Sequence, residues 1–314
     1  MSTVPMIGKG RKFSKAHIAK DWRQNKALYV ILLPVLLYFL IFCYLPMFGL
    51  VIAFQDYSPA LGVLKSQWIG VENFTEFFNS YYFGRLLKNT LVLSLLDLVF
   101  GFPAPIILAL SLNEVNNRRF KSTLQTVSYM PYFLSLMVVC SLISDFCNPG
   151  GVIQSVVQSI SGNKLGLLSR PEAFPPIYVI SNIWQGVGFQ SIIYLAAIAG
   201  IDQEQYEAAR IDGAGGWRQA WHITLPSLAS TIVILLIMRV GSTMSVGYEK
   251  ILLLYNPGIY STSDVISTFI YRKAFTDNNY GFSTAIGLFN SVINTALLLI
   301  TNRISKKLSG SGLF

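Results

Sequence analysis

The chain has 314 residues, of which 53% are hydrophobic and only 12% charged, with a mean hydropathy of +0.50. Soluble domains carry about 25% charged residues, so a water-soluble globule is excluded and an integral membrane protein is expected. The net charge of +9 does not point to nucleic acid, because Lys9, Arg11, Lys12, Lys15, Lys20, Arg23 and Lys26 crowd just before the first apolar run, a topogenic arrangement.

In chain order, the first expected span is Ala27–Phe54. At about 1.5 Å per residue it is about 42 Å long, more than the ~30 Å hydrocarbon core, so it tilts or protrudes. Pro34 and Pro46 are expected to bend it. The run exceeds the about 7–15 residues of a signal-peptide core and no small-x-small cleavage site follows, so it is expected to be retained. A polar stretch with Asp56, Pro59, Trp68, Glu72 and Glu76 reaches about Gly84. The second span, Leu86–Leu112, contains Asp97, Pro103 and Pro105, and the basic turn Asn113–Lys121 leads to a third span, Ser122–Phe146, with Pro131 inside it. A looser region opens at Asn148-Pro149-Gly150-Gly151 and reaches Pro175-Pro176.

The fourth span, Ile177–Ile201, carries Gly186 and Gly188, which either loosen it or permit close helix packing. After a charged segment come a fifth span, Ser227–Val246, a mixed stretch from Gly247 to Gly281 with a turn at Asn256-Pro257-Gly258, and a last span, Phe282–Thr301. Cys43, Cys140 and Cys147 lie in or at the end of apolar runs, and their spacing matches neither a disulfide framework nor a metal site.

Six spans place both termini on one side. With that assignment fifteen Lys and Arg flank the N-terminal side and seven the other, the seven being Lys65, Arg85, Lys164, Arg170, Lys250, Arg272 and Lys273. Positive charge accumulates in the cytoplasm, so both termini and the loop between spans four and five are expected inside.

That loop holds the most informative pattern: Glu207-Ala208-Ala209, three residues, Gly213, nine residues, then Ile223-x-Leu225-Pro226. Asp202 and Gln205 read as a capping pair for a short helix. Ala208 and Ala209 leave one of its sides without bulk. Gly213, Gly215 and Gly216 permit a sharp turn, and Pro226 suits the first turn of the next helix. A helix, turn and helix against the membrane, offered to a partner, is expected.

The whole pattern, Asp212 included, resembles the signature loop of bacterial ABC-importer permeases. Lys88-Asn89-Thr90-Leu91, Gly101-Phe102-Pro103-Ala104-Pro105, Tyr178–Trp184 and Ile251–Pro257 extend the resemblance over nearly the whole chain, toward carbohydrate-type permeases of the oligosaccharide and alginate branch. The resemblance implies an all-α type I importer fold with six transmembrane helices and cytoplasmic termini, multi-pass in the bacterial cell membrane. It implies a basic tail over 1–26, a first helix and external loop over 27–85, a permease core over 86–302 with its coupling loop at 202–226, and a C-terminal tail over 303–314. It also implies partners: a second, homologous permease, two ABC ATPase subunits docked on the coupling loop, and an extracytoplasmic solute-binding protein. ATP and Mg would be used by the ATPases and no cofactor bound by this chain.

Within the chain no Walker loop, His-Glu-x-x-His or Gly-x-Ser-x-Gly occurs, and no catalytic or metal-ligating residue is expected. His17 and His222 lie in the basic tail and the coupling segment. Asp97 and Arg239 fall near mid-span, where a charge costs about 2.5–3.5 kcal/mol on insertion scales and must face protein or water. They either pair, line a translocation path, or make a structural polar contact. Sugars are held by aromatic faces and hydrogen-bonding side chains, which makes Trp184, Gln185, Gln190, Tyr194, Tyr248 and Glu249 the further path candidates, although aromatic residues in spans also serve as packing and interfacial anchors. Glu207 could bond an ATPase or staple its own loop through Arg210 or Arg218. The alternatives are a permease for a non-sugar solute, an ion-gradient secondary transporter, and a membrane enzyme. The basic tail could also touch anionic lipid.

Overall fold

The computed structural model describes residues 15–310, 312 and 313, so Lys9, Arg11 and Lys12 of the basic tail lie outside the described residues. Four stretches are long and apolar enough to cross a membrane: Gln24–Phe54, Phe83–Glu114, Leu136–Ser161 and Tyr280–Lys307. Two more form bent pairs: Pro171–Ala199 turns by 75° into Gln203–Ile211, and Gly216–Ser227 turns by 62° into Ala229–Gly241. With each bent pair taken as one span, the described residues supply six candidate crossings, in the expected order.

The prolines explain where these helices deviate from regularity. A proline inside a helix lacks the N–H for its own bond, and its ring collides with the carbonyl four residues back. Three times the chain meets this with a π-helical turn that ends just before the proline. The turns are Phe39–Tyr44 before Pro46, Asp97–Gly101 before Pro103, and Ala220–Thr224 before Pro226. In each, the residue preceding the proline reaches five residues back: Leu45 N–H to Leu40 O, Phe102 N–H to Asp97 O, and Leu225 N–H to Ala220 O. The widened turn displaces the carbonyl that the ring would strike. In the first span the break in helical dihedrals falls at Asn25, and Pro34 sits inside Lys15–Tyr38.

Pro131 acts differently and corrects the third span. The stretch Ser122–Phe146 is not one helix. Arg118–Tyr129, capped by the Asn117 side chain, ends in the 3-10 turn Met130–Phe133, and a new helix, Leu136–Cys147, starts with Ser135 as its cap. The region after Asn148 is not merely loose either, since Val152–Ser161 is helical. The fifth span also stops early: its helix ends at Gly241, and residues 242–247 are irregular rather than helical to Val246. The last helix, Tyr280–Ser309, is longer than expected and ends at Gly310, which takes φ +68°.

Packing resolves the role of Gly188. A Cβ there would overlap the Ser128 carbonyl oxygen, so span four and Arg118–Tyr129 meet at a backbone-to-backbone approach that only glycine allows. On the side of the membrane opposite the termini, Asp264 is fully buried and gathers the fold. It accepts from both terminal nitrogens of Arg272 at 2.8 Å, from Arg85 at 3.3 Å and from Thr268 at 2.9 Å. Burial alone would lower the Arg272 pKa, and its bonds to Asp264 and Tyr255 more than reverse this, holding the guanidinium above its ordinary value. Asn89, at the start of span two, donates to the Asp264 carbonyl at 2.9 Å.

Gly188→Leu is expected to force span four away from the Ser128 carbonyl and to destabilise the fold by about 1–3 kcal/mol, the usual cost of overpacking. A lowered thermal unfolding temperature of the purified protein in detergent checks this. An unchanged temperature would mean that the two helices do not touch there.

Candidate functional site: a polar cavity and a surface hairpin

Three of the irregular segments border one cavity of about 510 Å³. The π-turn contributes Asp97, Leu98 and Gly101, the Pro131 break contributes Tyr132 and Leu136, and the frayed end of span five contributes Ser242, Thr243, Ser245, Val246 and Gly247. Span four supplies a polar stripe of Tyr178, Asn182, Gln185, Gly186 and Gln190, whose spacing of about four, three, one and four residues keeps it on one helix face. Non-helical backbone at membrane depth leaves N–H and C=O groups that lipid cannot satisfy, so it persists only where protein or water satisfies them. Ser94 Oγ, for example, donates to the Thr243 carbonyl.

Of the path candidates, Asp97, Gln185, Gln190, Arg239, Tyr248 and Glu249 line this cavity. Trp184 and Tyr194 do not. Trp184 lies on an exposed face of span four, and Tyr194 is packed among Ile106, Ala109, Ile198 and Leu228. Asp97 and Arg239 pair directly, Arg239 Nη2 donating to Asp97 Oδ2. The other carboxylate oxygen, Oδ1, is buried and has no hydrogen-bond partner.

Sequence reasoning misses much of the wall, including Tyr178, Asn182 and Lys250. The helical spacing of Tyr178 and Asn182 with Gln185 is a usable signal. Lys250 carries none, because it reads as an external loop charge. In fact its side chain is buried at 4% exposure, and its Nζ donates to Asn182 Oδ1 at 2.9 Å. Burial, the main cause, pulls the ammonium of Lys250 down to about 8, and the nearby Cys140 and Asp97 groups act in the opposite direction. Lys250 lies in the short helix Tyr248–Leu254, beyond the fifth span.

The second feature is the hairpin Gln203–Ser227. Asp202 starts its first helix by accepting from the Glu204 N–H at 3.0 Å, not through a pair with Gln205. That helix ends at Asp212, where Gly213 takes φ +77°. The Ala214 N–H then folds back to the Ala209 carbonyl at 2.8 Å. Gln219 Nε2 donates to the Ala214 carbonyl at 2.7 Å, and the buried Tyr206 hydroxyl bonds Thr224 Oγ1 at 2.9 Å. Ile223, Thr224, Leu225 and Pro226 therefore shape the hairpin itself: the π-turn before Pro226 carries Thr224 to Tyr206. The exposed surface carries large apolar groups, Ile211 at 87% and Trp217 at 80%, among the exposed charges of Glu204, Glu207, Arg210, Asp212 and Arg218, and Ala208 is exposed as well. Among the described residues Glu207 forms no ion pair with Arg210 or Arg218, so the stapling role is not seen.

These features have counterparts in known proteins. The family model described as "Binding-protein-dependent transport system inner membrane component" matches residues 101–310. The chain belongs to that family: it is a multi-pass permease component of a binding-protein-dependent importer, with the type I fold. LplB of Bacillus subtilis is 47% identical over 293 residues, covering 93% of this chain and 92% of that protein. The polygalacturonan/rhamnogalacturonan transport system permease protein YteP of the same organism is 43% identical over 292 residues, covering 93% and 91%. A crystal structure of a bacterial ABC transporter involved in import of the acidic polysaccharide alginate superposes with a TM-score of 0.86 at 43% identity, covering 93% of this chain and 99% of that one. A second structure of a bacterial alginate ABC transporter, in complex with an alginate pentasaccharide-bound periplasmic protein, gives 0.86 at 42% identity, covering 94% and 99%. Membership sets aside the ion-gradient transporter and the membrane enzyme.

Arg239→Leu strands the Asp97 carboxylate and is expected to cost about 1.5–3 kcal/mol, the range for hydrogen bonds to charged groups. Adding Asp97→Asn should return most of the folded yield in detergent, because no unpaired charge then remains. If the double variant is as poor as the single one, the pair is not the interaction that matters.

Proposed function

We propose that this chain is one of two permease subunits of an ATP-driven importer, and that the cavity is its half of the path for an oligosaccharide or polysaccharide fragment. An extracytoplasmic solute-binding protein delivers the sugar, a reading supported by the alginate transporter solved in complex with an alginate pentasaccharide-bound periplasmic protein. Two ABC ATPases supply the work, and the Gln203–Ser227 hairpin, facing the cytoplasm, is the foot they push.

The observation that carries this reading is continuity. The hairpin joins span four through the short break Gly200–Asp202 and a 75° bend, and span five through Leu228 and a 62° bend, so few residues separate it from either span. Those two spans bear Asn182, Gln185, Gln190 and Arg239 on the cavity wall. A displacement of the foot is therefore passed through these short breaks to both walls, as alternating access requires. The exposed Ile211, Trp217 and Ala208 give an ATPase an apolar surface whose shape matters more than its charge, since exposed ion pairs contribute only about 0–1 kcal/mol. The walls suit a sugar: amide and hydroxyl groups can meet its polar rim, and Tyr132, Tyr178 and Tyr248 its apolar faces. Substrate class is supported by YteP and by the alginate importers, whose substrates are polysaccharides.

Two variants test the coupling. Gly213→Val places a β-branched residue at φ +77°, a conformation such residues avoid. Ala209→Trp fills the unbulked side of the first helix. Both are expected to insert normally and to lose ATP-dependent oligosaccharide uptake and capture of the ATPase in proteoliposomes. Survival of both activities would sink the coupling role. A cysteine replacing Ile211 should react with a membrane-impermeant thiol reagent only from the cytoplasmic face, and labelling from outside would invert the topology.

A further inference from the structure

Four charged side chains line the cavity: Asp97, Arg239, Glu249 and Lys250. Two of them cancel, because Arg239 is bound to Asp97. Glu249 is exposed and neighbours Lys250 in the sequence, so the two side chains leave the short helix about 100° apart. Lys250 is the unbalanced one. Its side chain is buried, its only hydrogen bond is to the neutral amide oxygen of Asn182, and among the described residues no carboxylate lies within ion-pair distance. A buried ammonium has three donors and is costly unless paired. Here one donor is used, by a group that carries no charge. A lysine serving only to hold span four to the helix after span five would do so better as a glutamine, which donates to the same amide without a charge to desolvate.

The same wall supplies a complementary acceptor. Asp97 Oδ1 is buried and unpartnered, held there by the π-turn, with Gly101 leaving room: a Cβ at Gly101 would come within 2.9 Å of that oxygen. A charged donor and a vacant acceptor on one cavity wall match a ligand that carries both a carboxylate and hydroxyl donors.

We propose that Lys250, held by Asn182, is the specificity-determining group that receives a sugar carboxylate in the cavity, so that the imported fragments contain uronic acid residues, with Asp97 Oδ1 accepting from a hydroxyl of the same fragment. This rests on the reading of the cavity as the sugar path. The carboxylate completes the ion pair that the protein leaves open, and Arg239 shields it from the charge of Asp97. An uncharged sugar would bury the ammonium against neutral groups and lose that compensation. Selection therefore acts within the membrane component as well as at the binding protein that precedes it.

The test uses the complete importer in proteoliposomes: this chain, the partner permease, the ATPases and the binding protein. The probes are a galacturonate trisaccharide and its methyl ester, each at a concentration that saturates the binding protein. Lys250→Met is expected to lower the acid-to-ester uptake ratio about tenfold or more, the scale of a lost charge-assisted bond, while Lys250→Arg keeps the ratio near that of the wild type. Lys250→Gln, which can still donate to Asn182, should behave as Lys250→Met does and serves in its place if that variant does not assemble. Parallel loss of both probes, or an unchanged ratio in the Met and Gln variants, would make Lys250 a structural residue and overturn the proposal with the sugar path intact. Failure of the wild type to import either probe would overturn both.

Discussion

The constraint on which this structure depends is the absence of water in the bilayer core. Every backbone N–H and C=O at that depth needs a partner within the protein or in an enclosed aqueous space. A chain that breaks its helices at mid-membrane must therefore gather the breaks together. This one widens a turn at Asp97–Gly101, interrupts a helix at Met130–Phe133 and abandons helix after Gly241. All three sites open onto the same polar cavity. The cavity and the irregularities are one feature: the breaks supply its polarity, and the cavity makes the breaks tolerable.

Proline placement is the sequence-level cause. Pro103, Pro131 and Pro226 each remove a backbone donor, but the outcome is decided by the residues downstream. Before Pro103 a π-turn absorbs the ring and the helix continues on the far side; Pro226 is likewise preceded by a π-turn, but its helix runs only to Ser227 before the 62° bend at Leu228. After Pro131 the chain takes an extended conformation at Leu134 and restarts on the Ser135 cap. A serine or asparagine cap close behind the proline favours a restart over a bulge, since it satisfies the N–H groups a new helix exposes.

How much of this is legible in the sequence depends on the range of the forces involved. Spans one, two, four and six can be read because a long apolar run in lipid has no alternative to helix. The shape of the hairpin can be read because its spacing is local: the Gly213 turn, the Asp202 cap and the Pro226 turn all act within a few residues. The third and fifth spans mislead because hydropathy does not distinguish an apolar helix from apolar residues around a break, and Leu134 and Val246 are as apolar as their neighbours. The cavity wall is half legible. Asp97 and Arg239 announce themselves as charges in apolar runs, and Gln185 and Gln190 as polar groups in a span. Lys250 does not, because its burial is created by Asn182 and Cys140, which lie far away in sequence. Tyr194 misleads for the converse reason: a polar hydroxyl says nothing about which face its helix turns inward.

The position of the hairpin gives the fold its mechanical sense. Tyr206–Thr224 ties its two helical arms together and Gln219–Ala214 ties the second arm to the turn. Each arm is joined to a span by a short bent break, and the two spans reach the cavity from opposite ends of the hairpin. Gly188 locks span four to Arg118–Tyr129 without intervening side chains, which lets a shift of span four be felt at the Pro131 break. Span five ends at Gly241, so a shift there acts on residues 242–247, the segment of the wall with the fewest helical bonds to resist it. One wall is stiff and backed by a second helix. The other is short and frayed. On the proposed reading, a push on the hairpin would meet the helix-backed stripe of Tyr178, Asn182 and Gln185 on one side and the irregular segment beside Arg239 and Thr243 on the other.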